Sequence, residues 1–541
     1  MKDISSTGSF VDFTLENFIY VDKTEYIPKL LKLKRVFISR PRRFGKSLTL
    51  DTIATLFETG VEPYFKGTWI YDKWTEPTYP VLRLNFLDLD KYSLEHFKQK
   101  LNAIISSFAR DINVKNYEEK VEPEDTIYFL LDELRKEKRQ IVILIDEYDC
   151  QMTANINNET LYKQFQEKIK SFYANIKDKF AIKFLGITGV TRLKDVSIFS
   201  VGSDINDITN SSAYSQMIGF TRDEIKKFYI DYLKLAASYE NNCNVDEVTD
   251  TQIESLLDRL AQNYDGYCFD EFYKKKVFST WSVNKFFQSV VSNKFVYFGE
   301  YWYDNGGLPS ILVNYLKTHE LNIFEYLDKD KFLKVSSDDF KNPTALTTIN
   351  QNVLMCQTGY LTLRSDLNKT STVALGIPNG EIYKALNRLL ANNIFKGNTD
   401  ITDDYGRSLL EVGTVDDIIN LFNSALNSVS YDNYPIVTES SVQNMLKLYL
   451  LGAHQEVLSE VHEAKCRADL VVNTDNRRIV FEFKYAKNEA EAKSKLSEAV
   501  EQIKTRDYGN ILPKKNELIR IAAVFNADPK VRAFTENQIV P

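Results

Sequence analysis

The chain has 541 residues, enough for two to four domains, and 43% hydrophobic with 26% charged residues marks it as globular. A net charge of −7 excludes an overall basic field for nucleic acid but leaves a local basic surface open. Five scattered cysteines without C-x-x-C spacing argue against a disulfide framework, and with only four histidines they argue against a structural zinc site.

The start, MKDISSTGSF, has no apolar signal-peptide core, and no apolar run reaches the ~18 residues of a membrane span. A cytoplasmic protein without membrane contact is expected. The first predicted strand, RVFISR (35–40), runs into SRPRRFGKS (39–47) and then SLTLDTIATLFE, which has helical spacing through Leu48, Ile53 and Leu56. That is the strand–turn–helix setting of a phosphate loop, although Arg40 stands where G-x-x-x-x-G-K-[ST] has its first glycine. Lys46 would reach the β- and γ-phosphates of ATP and Ser47 would place its hydroxyl on Mg²⁺. Arg43, Phe44, Gly45 and Leu48 complete the expected nucleotide-binding stretch. Arg40, Arg42 and Arg43 raise the local positive potential; one of them touches phosphate, or they form a solvated basic turn.

Three more apolar, β-rich runs follow: YPVLRLNF (79–86), RQIVILIDEYD (139–149) and FAIKFLGITGV (180–190). Helical segments lie between them, one through Leu130, Leu131 and Leu134 and one through Phe165, Ile169 and Phe172. Strands alternating with helices predict a mostly parallel α/β sheet, with IVILI as a central strand. Asp146 ends that strand where an acidic residue would hold Mg²⁺; Glu147 would polarise the attacking water and Thr188 would sense the γ-phosphate. A lone Gly-Lys-Ser is common, and IVILIDE also reads as a core strand with a solvated acidic end. The two together, in order and each ending its own strand, carry the assignment. Arg192 in GVTRLKD is open between an arginine finger for a neighbouring copy, which needs a homo-oligomer, and a buried structural arginine.

From about 216 the texture turns to amphipathic helices, then to a mixed region with a hairpin near 359–379 and a polar, turn-rich linker near 395–405. The expected domains are 1–215, 216–400 (helical lid and mixed α+β connecting region) and 401–541. In the last, CRADLVVNTDNRRIVFEFKYAK (466–487) predicts a hairpin that sets Asp469 beside Glu482. Strand alternation puts Glu482 and Lys484 on one side with Val480, and Phe481 and Phe483 on the other. This D…E-x-K set suits phosphodiester cleavage: Asp469 and Glu482 would hold Mg²⁺ or Mn²⁺, and Lys484 would position or deprotonate the water and stabilise the transition state. A solvated hairpin face gives the same alternation, but charges between Val480 and the two phenylalanines are costly in a central strand unless paired or metal-bound. Gln502, on a helix with Ala492, Leu496, Ala499 and Ile503 facing the core, could point back at the site.

YVDKT (20–24), RPRRFGKS, LIDEYD, ITGVTRLKDVSIFS, YDGYCF, SVNKFF, GGLPSIL, QTGYLTL and LGIPNGE resemble, over nearly the whole chain, predicted bacterial AAA-ATPase-like proteins with a C-terminal nuclease-like domain. In that family the loop with arginine in place of the first glycine is the usual form. The last block is similar to the PD-(D/E)XK nuclease domain of those proteins at Ser459, Glu460, Arg467, Asp469, Glu482, Lys484, Gln502 and Tyr508, with Cys466 where glycine is usual. The resemblance implies a P-loop, AAA-type parallel sheet with a helical lid, followed by a PD-(D/E)XK-like α/β nuclease fold. It also implies an ATPase joined to a metal-dependent nuclease whose partner is nucleic acid, DNA first. The rival expectation is a nucleotide-dependent switch or scaffold that binds nucleic acid or protein without cutting.

Overall fold

The computed structural model describes every residue except 177–179, 194–203, 305–309, 317–318, 320–321, 344, 396–404, 454–455, 464–465 and 507–516. The chain divides into two compact units, Met1–His319 with Phe332–Ile382, and Glu320–Lys331 with Tyr383–Pro541. Position 215 falls inside the first unit. Most of the linker expected near 395–405, and Tyr508, lie outside the described residues.

The first unit is built on five parallel strands, β1 (Arg35–Ser39), β2 (Val81–Asn85), β3 (Ile141–Asp146), β4 (Ile182–Gly189) and β5 (Asn206–Asp207), in the order β2-β3-β4-β1-β5. Ile141 to Ile145 are all buried, as a parallel strand covered on both faces requires. From β1 the chain crosses to the far edge, returns strand by strand to β4, then passes over β1 to β5. Winding thus reverses beside β1, and the carboxyl ends of β3, β4 and β1 open on one crevice, where ligands of such sheets bind.

Helix Lys46–Thr59 follows β1. Its Thr49, Thr52, Thr55 and Thr59 hydroxyls each donate to the carbonyl four residues back, which satisfies the buried pair Thr52 and Thr55 within the packed layer. The helices after the sheet are started by side chains: Thr221 and Glu224 form a capping box before Arg222–Phe228, and Thr249 and Gln252 form one before Asp250–Tyr264. Their apolar faces, with Phe286 and Phe287 of helix Thr280–Asn293, make a core that also buries Ile19 and Val21 of the N-terminal segment. That packing brings residues far apart in sequence to one wall of the crevice. A small antiparallel sheet, in the order β6 (Leu333–Ser336), β8 (Thr372–Gly376) and β7 (Thr362–Leu363), completes the unit and contains the expected hairpin.

The second unit has a mixed sheet in the order β13-β12-β11-β10-β9, with β9 (Glu456–Glu463), β10 (Cys466–Asn473), β11 (Arg477–Ala486), β12 (Glu517–Asn526) and β13 (Ala533–Ile539). Only β11 and β12 run parallel among the described pairs, joined by helix Glu489–Arg506. Phe481 and Phe483 pack with Phe422 and Phe534 on one face; Val480 packs with Val471, Ala499 and Ile503 on the other. The two faces are those the strand alternation predicts. Helix Glu439–Gly452 begins in a capping box of Thr438 and Ser441.

Candidate functional site

The first site is the turn between β1 and helix Lys46–Thr59. Gly45 takes φ +99° to open the helix, a backbone state that a side chain would strain, and Arg43 also lies in the left-handed region at φ +65°. Lys46 is 4% exposed, and its ammonium donates to the carbonyls of Arg40 (3.1 Å) and Pro41 (3.2 Å) and lies 3.4 Å from Glu147. Ser47 Oγ donates to Asp146 Oδ2 at 2.5 Å, and Thr188 Oγ1 donates to Asp146 Oδ1. Strand order explains the convergence, since β4 lies between β1 and β3. Lys46, Ser47, Asp146, Glu147 and Thr188 therefore form one cluster. Glu147 itself has φ +50°, an unusual conformation for glutamate that turns the chain sharply after β3.

The basic residues do not form a solvated turn as a set, since Arg40 is buried, while Arg43 lines the cavity at the loop. Arg40 is 1% exposed: its Nη1 donates to the carbonyls of Ser39 (2.8 Å) and Thr209 (2.6 Å), and its guanidinium lies 4.0 Å over Phe269. Burial pulls it down to about 9. Arg40 thus braces the underside of the loop. Arg43 lies over Trp281 at 4.4 Å, while Phe44 is buried against Tyr267, Phe269 and Trp302. Arg192 pairs with Asp207 and donates to the Lys341 carbonyl, as a structural arginine would.

A cavity of about 310 Å³ extends from this loop. Arg43 to Thr49 and Glu147 line one end; Ile19, Tyr20, Val21, Met217 and Phe220 line an apolar part. A phosphate chain at the loop with an apolar heterocycle beyond it fits this shape, and Ser47 and Asp146 offer the oxygens a hard divalent cation takes. The wall made by residues 5–8, 19–21, 217–220 and Trp281 was not legible from loop motifs; YVDKT was its one signal.

The second site lies in the second unit. The β10–β11 register pairs Leu470 with Phe481, so Asp469 stands next in line opposite Glu482, and its Oδ2 accepts from the Phe483 amide at 2.9 Å. Glu482 is fully buried, and its Oε1 accepts from Lys484 Nζ at 2.8 Å. The same ammonium is 3.5 Å from Glu439 Oε1, at the start of helix Glu439–Gly452. Gln443, one turn on, bonds Asp469. Burial raises the Asp469 carboxyl, against the opposing pull of the Phe483 amide and Lys484. Burial disfavours the Lys484 ammonium, but the Glu482 bond and the charges of Glu482, Glu439 and Asp469 together outweigh it and leave the amine raised. Gln502 is half-buried on helix Glu489–Arg506, next to the core residue Ile503. Glu439 and Gln443 were missed because their helix lies about thirty residues before Asp469 and carries no motif.

Among the described residues no three or more His, Cys, Asp or Glu side chains are gathered as a ready metal cage. In the second site a lysine ammonium sits between two carboxylates, so the donors already accept a cation there. Their oxygen chemistry suits a hard divalent ion.

Residues 5–199 match the family model described as predicted AAA-ATPase, and residues 437–535 match that of the PD-(D/E)XK nuclease superfamily. The chain joins a predicted AAA-ATPase region to a PD-(D/E)XK nuclease-superfamily region. It is 26% identical over 533 residues, covering 95% of this chain and 94% of that protein, to an uncharacterized protein in the vnfD 5′ region of Azotobacter chroococcum mcd 1. Two solved structures are similar at 12% identity. The Walker-type ATPase paby2304 of Pyrococcus abyssi has TM-score 0.35, over 67% of this chain and 94% of that one. Cdc6p of Pyrobaculum aerophilum has TM-score 0.27, over 68% and 93%. An AAA-ATPase-like region and a PD-(D/E)XK region imply nucleotide and divalent-metal use in general terms. No helix among the described residues is long and apolar enough to cross a membrane.

Proposed function

We propose that this AAA-ATPase-like and PD-(D/E)XK chain binds and hydrolyses ATP and cleaves phosphodiester bonds in DNA with Mg²⁺ or Mn²⁺. One observation supports the nuclease reading above all. Asp469, Glu482 and Lys484, drawn from two strands, meet with Lys484 between carboxylates of β11 and helix Glu439–Gly452.

In this reading Asp469 and Glu482 hold the divalent ion, with Glu439 as a further acidic group. A divalent ion there would supply Lewis acidity and a more acidic bound water. Lys484, released from Glu482, aligns the water and places its positive charge against the phosphate oxygens. Gln502 is assigned to substrate positioning. In the nucleotide site Lys46 grips the β- and γ-phosphates, Ser47 and Asp146 hold the second ion, Glu147 orients the water, and Thr188 reads the γ-phosphate through Asp146. Arg43, Phe44, Gly45 and Leu48 shape the seat. Residues 1–215 would serve nucleotide binding, 216–400 the lid and connection, and 401–541 cleavage, in the cytoplasm and with homo-oligomers open to test.

The complete burial of Glu482, beside Lys484 at 6% exposure, favours one second reading. A nucleotide-controlled binding module would keep such a pair shut and never cut. The test is cleavage of plasmid and single-stranded DNA with Mg²⁺ or Mn²⁺, with and without ATP, for the parent, Glu482→Gln and Lys46→Ala. Metal-dependent cutting is expected, lost in Glu482→Gln, with ATP binding lost in Lys46→Ala. Retained ATP binding with no cutting on any substrate moves the assignment to the binding module.

A further inference from the structure

A buried carboxyl behind the phosphate loop has no part in the functions above. Glu381, in the first turn of helix Gly380–Ile394, is 2% exposed. Its Oε2 accepts from Ser282 Oγ at 2.7 Å and its Oε1 from the Trp302 amide at 2.8 Å, and the Tyr301 backbone adds a further bond. Both partners lead to the loop. Ser282 lies in the first turn of helix Thr280–Asn293, where Thr280 Oγ1 donates to the Arg43 carbonyl at 2.9 Å and Trp281 carries the Arg43 guanidinium. The Tyr301 carbonyl accepts from Trp281 Nε1 at 3.1 Å and from Arg43 Nη1 at 3.5 Å. Arg43 is the residue held left-handed before Gly45, so its three anchors fix the loop's geometry.

We propose that Glu381 is a positioning residue of the nucleotide site, tying the start of helix Thr280–Asn293 and the Tyr301–Trp302 backbone into the seat of Arg43. This rests on the reading of the loop as a nucleotide site. A carboxyl suits the task because its two oxygens reach a hydroxyl and backbone amides at once, accepting from Ser282 Oγ when ionised and donating its own O–H to that oxygen when protonated. Burial pushes it up to about 8, so near neutral pH it is mostly uncharged and sets no negative charge behind a loop meant for phosphates. The ionisable groups around it among the described residues are Glu300, Tyr264, Tyr267, Tyr301 and Arg43. Glu300 opposes ionisation of Glu381 and Arg43 favours it. Ionisation above pH 8 adds a charge that offsets Arg43 and lowers affinity for a polyanion.

The test is titration of the full chain with a fluorescent ATP analogue from pH 6.5 to 9, for the parent, Lys46→Ala, Glu381→Gln and Glu381→Ala. Parent affinity is expected to fall as pH passes about 8. Glu381→Gln should bind like the parent at pH 7 and lose that step. Glu381→Ala should bind about tenfold more weakly at every pH, the scale of one or two lost hydrogen bonds. Folding gives a second readout. The folded protein keeps a proton that the unfolded chain releases, so parent stability declines between the ordinary glutamate range and about pH 8 and is level above, whereas Glu381→Gln lacks this slope. If Glu381→Ala does not fold, the Glu381→Gln profiles decide. A pH step unchanged in Glu381→Gln, no step in the parent, or parent-like binding by a folded Glu381→Ala overturns the proposal while the nucleotide site stands. Absence of binding by the parent removes both.

Discussion

Lys484→Ala is expected to lower metal-dependent DNA cleavage by about 10³-fold, the scale of removing an electrostatic group aimed at a transition state. The ammonium is 2.8 Å from a fully buried carboxylate and 3.5 Å from a second, so its loss removes both the charge that would face phosphate and an ion-pair partner of Glu482. Breaking a buried pair from one side costs about 3–5 kcal/mol, so lost activity alone would not separate chemistry from folding. The pair Glu482→Gln with Lys484→Met isolates the folding part, because it leaves neither buried charge behind, and it should recover most of the denaturation midpoint lost in Lys484→Ala. The chemical part is then read from Lys484→Ala at a temperature where circular dichroism shows it folded. Cleavage by Lys484→Ala within tenfold of the parent would remove this lysine from the mechanism.

Gly189→Ala should destabilise the first unit by about 3 kcal/mol, the upper part of the range for overpacking a filled core. A Cβ there would lie 2.4 and 2.6 Å from two carbons of the Tyr148 ring and 2.8 Å from Asp149 Oδ1. The ring has nowhere to go: Tyr148 is fully buried, meets Phe37 edge-on, and its hydroxyl donates to the Thr191 carbonyl at 3.0 Å. Asp149 is equally fixed, accepting from the Thr191 amide and hydroxyl at 2.6 Å each. Gly186→Ala is the comparison, because its closest neighbours, at 3.0 and 3.2 Å, are the ends of the Leu144 and Phe184 side chains. It should cost about 1 kcal/mol. Urea denaturation midpoints giving equal losses for the two variants would show that the β3–β4 exit is softer than its packing suggests.

Four of the five sheet strands of the first region were legible because each is a short apolar run ended by turn residues; RVFISR, YPVLRLNF, IVILID and IKFLGITG became β1 to β4, whereas β5 is two polar residues with no such signal. The meeting of Asp469 and Glu482 was legible for a related reason, since a short hairpin with strict alternation fixes its own register. What stayed hidden depends on long-range packing. Glu381 and Arg43 are over three hundred residues apart, and Glu439 reaches Lys484 from a helix whose sequence signals only a capped start. Arg40 shows the limit most plainly. In sequence it is one of three arginines in a basic turn, and only the fold turns it inward to Thr209 and Phe269.

The contacts of Lys46 carry a kinetic consequence. With its ammonium on two loop carbonyls and near Glu147, the turn is closed on itself, and an arriving anion must displace three local partners before gaining the lysine. A small ion that offers one group at a time competes poorly against partners already in place, whereas a chain of phosphates can settle first on the helix amides and then exchange them in turn. Binding would then proceed in two steps, with an observed rate that levels off as ligand concentration rises. The loop would discriminate by the number of linked phosphates, through the order in which its own bonds are given up.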